Sequence, residues 1–319
     1  MVRLEYTIDL DYEIGGPADF VFVIAAARTS AQRLVAERLD IDRPVASAWC
    51  DDPQTHNRLL RLRTEAASLH VAYAATVDIT HHFADPATLA AAPLAGIPVE
   101  VLPYLAASRY CQSDRLGEYA DAEFGAIPPG YARVEAIARW VQRHVRFKAG
   151  TTNTSTSALD TLVERQGVCR DFAHLAIALC RAQNVPARFV TGVDYGADPS
   201  LGPCDFHAYV EAWIADRWYL FDVTGISPPT GLVRIGTGRD ASDVAFATIY
   251  GPVRTHAPRV SVRALDDPAH GVHTPQPTTL AVSTATAGVP APSLAGGDAA
   301  ALPFLLHGTR AGAEGRRPH

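Results

Sequence analysis

One cysteine in this chain of 319 residues stands where a thiol can act as a nucleophile. Residues 164–183, ERQGVCRDFAHLAIALCRAQ, lead through a glycine and a valine into Cys169. Phe172, Leu175, Ala176, Leu179 and Cys180 then recur at helical spacing, which predicts a helix opening at Cys169. Unpaired backbone N–H groups and the helix dipole favour an anion there, and Asp171 in the first turn suits the same dipole. Cys180, further round the helix, reads as a structural core cysteine.

A base and an orienting acid follow downstream. Residues 205–214, DFHAYVEAWI, alternate strictly: Phe206, Ala208, Val210, Ala212 and Ile214 on one face, His207, Tyr209, Glu211 and Trp213 on the other. WYLFDV at 218–223 is a returning strand. With Ala215 and Asp216 as a two-residue loop, His207 falls opposite Thr224, and Asp222 becomes its diagonal neighbour on the same face. A slip of one residue would put His207 and Asp222 on opposite faces. A cysteine at a helix start, a histidine on a strand and an aspartate on the next strand form the nucleophile, base and orienter of thiol acyl transfer.

GVCRDFAH, DFHAYVE and WYLFDVTG, in that order, resemble the three motif blocks of the transglutaminase-like family, a branch of the papain-like thiol enzymes. YLAASRYCQSD at 104–114, PARFVTGV at 186–193 and GRDASDVAFATIYG at 238–251 are similar to its bacterial members, and the resemblance covers most of residues 3–262. It places the family's nucleophile on Cys169, its base on His207 and its acid on Asp222. Where the family often carries proline and threonine after the aspartate, this chain has Val223-Thr224-Gly225.

That resemblance implies attack of Cys169 on an amide carbonyl of a peptide or protein, with His207 protonating the departing amine and Asp222 fixing the imidazole tautomer. The oxyanion needs two donors. The Cys169 backbone N–H is one, and the side chain of Gln166 or Trp140 is the candidate second. Water resolving the thioester makes a cysteine peptidase or amidase; an amine makes a transglutaminase. Hydrolysis is the expectation, because an amine tunnel needs aromatic walls. Only Tyr209 is on the face of His207 and close enough to touch substrate, Trp213 being ~20 Å along the strand. Family members that have lost the triad serve as binding modules, a reading that the presence of all three residues opposes.

A zinc site is the rival use of the same residues. Cys204-x-x-His207 has ligand-like spacing, with Cys169 and His174 to complete four. His174 lies about 140° round an ideal helix from Cys169, which makes convergence awkward. No cofactor and no metal is therefore expected, and no stretch has the acidic density of a calcium loop. The pair His81-His82 reads as a solvated strand end.

The formal net charge is −6 and 19% of residues are charged, with no basic tract, so neither nucleic acid nor an anionic membrane is an expected partner. The N-terminal residues lack an apolar signal core, and five cysteines at irregular spacing do not form a disulfide framework. Both point to a cytoplasmic setting.

The elements that must position these groups predict an α+β architecture. Alternating runs within residues 1–85 make an N-terminal antiparallel β-sandwich of about six or seven strands. The stretch 30–41 is compatible with helix but is taken as strand. Residues 86–114 form a linker. Residues 115–266 make the papain-like core, with helices over 115–124 and 131–147 and a Ser157 to Asp160 capping box before the Cys169 helix. Strands at 232–235, 244–250 and 259–262 are expected to complete its sheet. Residues 267–319, rich in Thr, Ala, Pro and Gly, are expected to be a disordered tail, with an apolar island at 302–306.

Overall fold

The computed structural model describes residues 1–197 and 204–285. Seven strands open the chain: β1 (Val2–Ile14), β2 (Ala18–Phe22), β3 (Gln32–Ile41), β4 (Ser47–Asp51), β5 (Arg58–Thr64), β6 (Ser68–Ile79) and β7 (His82–Ala84). A stretch of 3-10 turns leads to α1 (Gly117–Phe124) and α2 (Tyr131–His144). Then come β8 (Arg146–Phe147), α3 (Ala158–Glu164), β9 (Gln166–Gly167) and α4 (Cys169–Ala182). The remaining strands are β10 (Ala187–Asp194), β11 (His207–Ile214), β12 (Arg217–Phe221), β13 (Leu232–Gly238), β14 (Ala247–Tyr250), β15 (Val253–Thr255), β16 (Arg259–Leu265) and β17 (Ala281–Ser283).

β1 shows how the sandwich arises. Its even residues from Val2 to Ile14 are all buried and its odd ones are not, the period-2 pattern of a strand with one face in a core. It pairs with β6 along one edge, and β3 continues that sheet beyond β6. The facing sheet has the order β14-β2-β5-β4. Tyr6, Tyr73, Phe20 and Phe22 fill the space between them. The 30–41 stretch is strand, as taken.

The other unit is built on α4. Every residue from Asp171 to Arg181 is buried, because the helix is covered by α1, α2 and α3 on one side and lies on β10 and β11 on the other. The sheet beneath it has the order β13-β10-β11-β12-β17-β7, with all assigned pairs antiparallel. Its far face meets the sandwich through Val193, Val233 and Ile235, and β11, between β10 and β12, is buried at every position.

Two expectations are corrected here. The strands at 244–250 and 259–262 do not complete the sheet beneath α4. β14 pairs with β2, while β15 and β16 pair with the free edge of β1, Thr7 standing opposite Ser261. The sandwich therefore takes strands from both ends of the described chain, and the boundaries 1–85 and 115–266 do not separate the two units. The physical reason is that a long β1 paired on one side only would expose a row of N–H and C=O groups, which β15 and β16 cover.

The second correction concerns the tail. Residues 267–285 are ordered, and β17 lies between β12 and β7 with Val282 opposite Leu220 and Phe83. Small residues such as Ala281 and Ser283 fit that slot between two strands, where composition alone suggested a free coil. The island at 302–306 lies outside the described residues, as does most of the loop before Cys204.

Val282 is 2% exposed. Val282→Asp should therefore lower unfolding stability by about 3 kcal/mol or more, the order of a buried uncompensated charge. Urea denaturation with no change in midpoint would show that this segment is detached from the sheet.

Candidate active site

The start of α4 is shaped by a reach-back contact. The Asp171 carboxylate accepts from the Val168 N–H at 2.8 Å and from the Thr152 hydroxyl at 2.8 Å. This meets one of the orphan N–H groups ahead of the helix. It also explains Gly167, where a Cβ would lie 2.7 Å from the Asp171 Cβ. Cys169 is thus held as the first residue of α4, partly exposed, with its Sγ 3.9 Å from the Phe206 carbonyl.

That carbonyl immediately precedes His207, the first residue of β11. The β11–β12 hairpin turns through Ala215 and Asp216, with Ala215 at φ +57°, and Ile214 pairs with Arg217. The register then carries Val210 opposite Phe221, and His207 and Asp222 emerge on one face as expected. His207 Nε2 is 3.2 Å from Asp222 Oδ1. Asp222 Oδ1 also accepts from the Thr224 N–H at 3.0 Å and the Thr224 hydroxyl at 2.6 Å, and Oδ2 accepts from the Ser227 N–H at 2.9 Å. With Nε2 engaged by Asp222, Nδ1 is the imidazole nitrogen left for Cys169.

Burial opposes charge on both members of this pair, and their mutual contacts win. Desolvation lowers the proton affinity of His207, yet hydrogen bonds to Asp222 and Cys169 raise it well above the ordinary histidine value. Desolvation raises that of Asp222, yet His207, Thr224 and Ser227 hold its carboxyl below the usual carboxylate range. A second carboxyl, Asp194 on β10, lies behind them. Its proton affinity is raised, first by burial and also by the charge of Asp222, with His207 opposing.

The remaining site candidates are placed as follows. Gln166 lies in β9, three residues before Cys169, and its Oε1 is 3.5 Å from Arg146 Nη2. Trp140 is built into the helical layer, stacked on His144 at 4.2 Å and edge-on to Tyr119 and Phe124. Tyr209 is corrected as a substrate contact: it is fully buried, edge-on to His207 at 4.7 Å, with its hydroxyl toward Asp194 and Ser227. Alternation put it on the right face, but there it packs with Val190, Leu220 and Leu232 and is closed off from solvent.

His174 is a buried packing histidine. Its ring stacks on Tyr110 at 5.0 Å, and Nε2 accepts the Ala241 N–H at 3.1 Å. Burial takes its proton affinity down to about 3. Cys180 is in the core, as read. His81 is more enclosed than a solvated strand end, and burial lowers its proton affinity to about 4. Among the described residues no group of three His, Cys, Asp or Glu side chains is placed to hold a metal ion.

Sequence reasoning missed Thr224, Ser227 and Asp194. Thr224 had a local signal, since a threonine two residues after an aspartate is placed to bond it. Asp194 had none, because only sheet pairing of Gly192 with His207 brings the end of β10 alongside.

Comparison with known proteins agrees with this architecture. Residues 119–223 match the model of the transglutaminase-like superfamily, and residues 2–98 match the bacterial transglutaminase N-terminal domain. A crystal structure of a candidate cysteine protease from Cytophaga hutchinsonii is 38% identical, with a TM-score of 0.81 over 88% of this chain and 97% of that one. An uncharacterized protein of Mycobacterium leprae is 34% identical over 116 residues, 35% of this chain and 42% of that protein. One from Mycobacterium tuberculosis is 30% identical over 143 residues, 41% of this chain and 46% of that protein. The chain thus matches less than half the length of these two curated relatives. The chain belongs to the transglutaminase-like superfamily, and so to the papain-like thiol enzymes.

Proposed function

We propose that this protein is a cysteine peptidase or amidase acting on peptide or protein amides through Cys169, His207 and Asp222. The observation that carries the reading is the orientation of His207. Its Nε2 is held by a buried carboxylate with three further donors, which leaves Nδ1 for a partly exposed thiol at a helix start. In this reaction Cys169 Sγ attacks the amide carbonyl carbon, and the tetrahedral oxyanion is met by the Cys169 backbone N–H and the Gln166 side chain. His207 gives its Nδ1 proton to the departing nitrogen, the C–N bond breaks and a thioester remains on Cys169. A water molecule, deprotonated by His207, adds to the thioester. The acid leaves, and the thiolate–imidazolium pair is restored.

Transfer to an amine is the second reading, and the positions of the aromatic residues speak for water. Phe206 stacks on Phe246 at 4.6 Å on the sandwich side, Tyr209 is buried, and Trp213 and Trp218 pack on each other 5.4 Å apart. These side chains are committed elsewhere and do not wall an amine tunnel. A reaction through a free thiol also suits a reducing compartment, in line with a cytoplasmic setting.

The direct test offers a glutamine-containing peptide with excess primary amine, and Cys169→Ala as the blank. Free glutamate or cleaved peptide is expected, with no product from the variant and a melting temperature close to that of the parent protein. Predominant amine incorporation would replace the hydrolase by the transglutaminase. Product from the Cys169→Ala variant, or none from either protein, would remove the thiol mechanism or leave a silent binding module.

Thiol selectivity gives an independent check. Burial pushes Cys111 and Cys180 up to about 12, and burial with Asp194 and Asp205 nearby pushes Cys204 up to about 11. Limiting iodoacetamide at pH about 6 should therefore modify Cys169 ahead of these three. Mass mapping that finds Cys204 labelled equally would sink the thiolate–imidazolium pair.

Asp222→Asn should lower kcat by about 10²–10⁴-fold, because the amide can present the wrong hydrogen-bond partner to Nε2. The pH dependence has a defined sign. His207 is raised in the folded state, so its contribution to stability is complete below about pH 6.5 and lost as pH rises through the raised value. Asp222 is lowered, so its contribution is present above about pH 3.9 and lost as pH falls through the lowered value. In the variant the alkaline limb of kcat/KM should move to lower pH; an unmoved limb would mean that Asp222 does not hold the imidazolium.

A further inference from the structure

Asp194 is a buried carboxyl beside the candidate active site that the reaction above leaves unused. A close approach of strands carries it there. Gly192 of β10 pairs with His207 on one side and with Arg234 on the other. A Cβ at Gly192 would lie 2.3 Å from the Val233 carbonyl oxygen, so glycine is what lets β10 and β13 meet at this point. Asp194, 6% exposed, follows two residues later, on the His207 side of β10 by strand alternation.

Three polar atoms are gathered around it. Asp194 Oδ2, the Tyr209 hydroxyl and Ser227 Oγ are all buried and close no hydrogen bond among the described residues. The Tyr209 hydroxyl faces both of the others. Buried polar atoms in folded proteins are nearly always paired. With Asp194 ionised, one order satisfies all three: Ser227 donates to the Tyr209 oxygen, and Tyr209 donates to the Asp194 carboxylate. Ser227 is also bound to Asp222, its N–H donating to Oδ2 at 2.9 Å. The run that starts at Asp194 thus ends on the acid that holds His207.

Charge connects the same groups. Burial and Asp222 raise the proton affinity of Asp194, while His207 opposes them. That attraction is mutual, so an ionised Asp194 favours the imidazolium of His207. Ahead of β11, Asp194 also helps to push the Cys204 thiol up to about 11, with Asp205 beside it. From β13, Leu232 stands opposite Asp194, and Arg234 is engaged by Glu211 and Thr284. The one cation that answers Asp194 is therefore His207.

We infer that Asp194 is a positioning residue of the Cys169 centre, acting through Tyr209 and Ser227 on Asp222 and by its charge on His207. Tyr209, edge-on to His207 at 4.7 Å, then serves the site from within the sheet and not as a substrate contact.

The inference rests on the Cys169 reading, and its test separates the two. The His207 imidazole is titrated by NMR in the full chain with labelled histidine, its signal assigned by its loss in His207→Gln. This readout needs no turnover. Asp194→Asn keeps the shape and removes the charge. It should lower the His207 proton affinity by about one unit and move the alkaline limb of kcat/KM to lower pH with it. It should also reduce kcat about tenfold with KM within about twofold. Tyr209→Phe keeps the ring against His207 and removes the hydroxyl alone, so it decides the matter should Asp194→Asn not fold. It should lower kcat about fivefold. The double variant should fall no further than Asp194→Asn alone, because the two share one path. An unmoved His207 titration in Asp194→Asn, an unchanged kcat in Tyr209→Phe, or losses that multiply in the double variant would overturn the assignment. A shifted His207 titration with no turnover in any of the proteins would uphold it and strike the peptidase reading instead.

Discussion

The sheet beneath α4 is covered on both faces, and most of the molecule's internal bonding follows from that constraint. One face carries Ala208, Val210 and Ala212 against α4. The other is pressed onto the sandwich, where polar groups at β13 must find partners or be stranded. Asn57 exchanges two hydrogen bonds with the backbone of Thr237, at 2.8 and 2.9 Å. Gln32 does the same for Arg234, accepting from its N–H at 2.8 Å and donating to its carbonyl at 2.8 Å. These two side-chain amides act as the missing neighbour strand for an edge that would otherwise be buried unsatisfied.

This docking explains why buried charge is tolerated so close to the candidate active site. His207, Asp222, Asp194, Glu211 and Arg234 are all at or below 6% exposure by residue or side chain. Water cannot screen them, so each depends on a specific partner. His207 and Asp222 pair with one another, and Glu211 is held by two arginines. Burial raises the proton affinity of Asp194, with His207 opposing. The sandwich strands share one apolar core with Val193, Val233 and Ile235 of the sheet beneath α4, so they are not an appended module.

The order of the chain reflects the same need for closure. β15 and β16 return to β1, and β17 enters between β12 and β7. Both returns cover strand edges, and both tie the C-terminal part of the described chain to elements far away in sequence. The β17 insertion also brings the Thr284 hydroxyl to Arg234 Nη2 at 2.9 Å, adding an acceptor to the buried charge cluster.

Local patterns in the sequence determined the elements and the spacing of the reactive groups. Apolar residues at helical spacing after Gly167-Val168 marked α4 and put Cys169 at its start, because a helix exposes unpaired N–H groups at that end. Strict alternation marked β11, and a two-residue link to β12 set the register that brings His207 to Asp222, since side-chain direction repeats every two residues. Tertiary structure alone decided which face was covered. Tyr209 shares the His207 face but is buried with Val190, Leu220 and Leu232 of the neighbouring strands, so alternation could not exclude it from the cleft. Helical spacing could not tell that the Trp140 ring would pack on Tyr119 and Phe124 of α1. The destinations of β14 to β17 were equally invisible, because an alternating strand records that one face is buried and not which edge it will pair with. Edge pairing depends on unsatisfied N–H and C=O groups that exist only once β1 and β12 have folded.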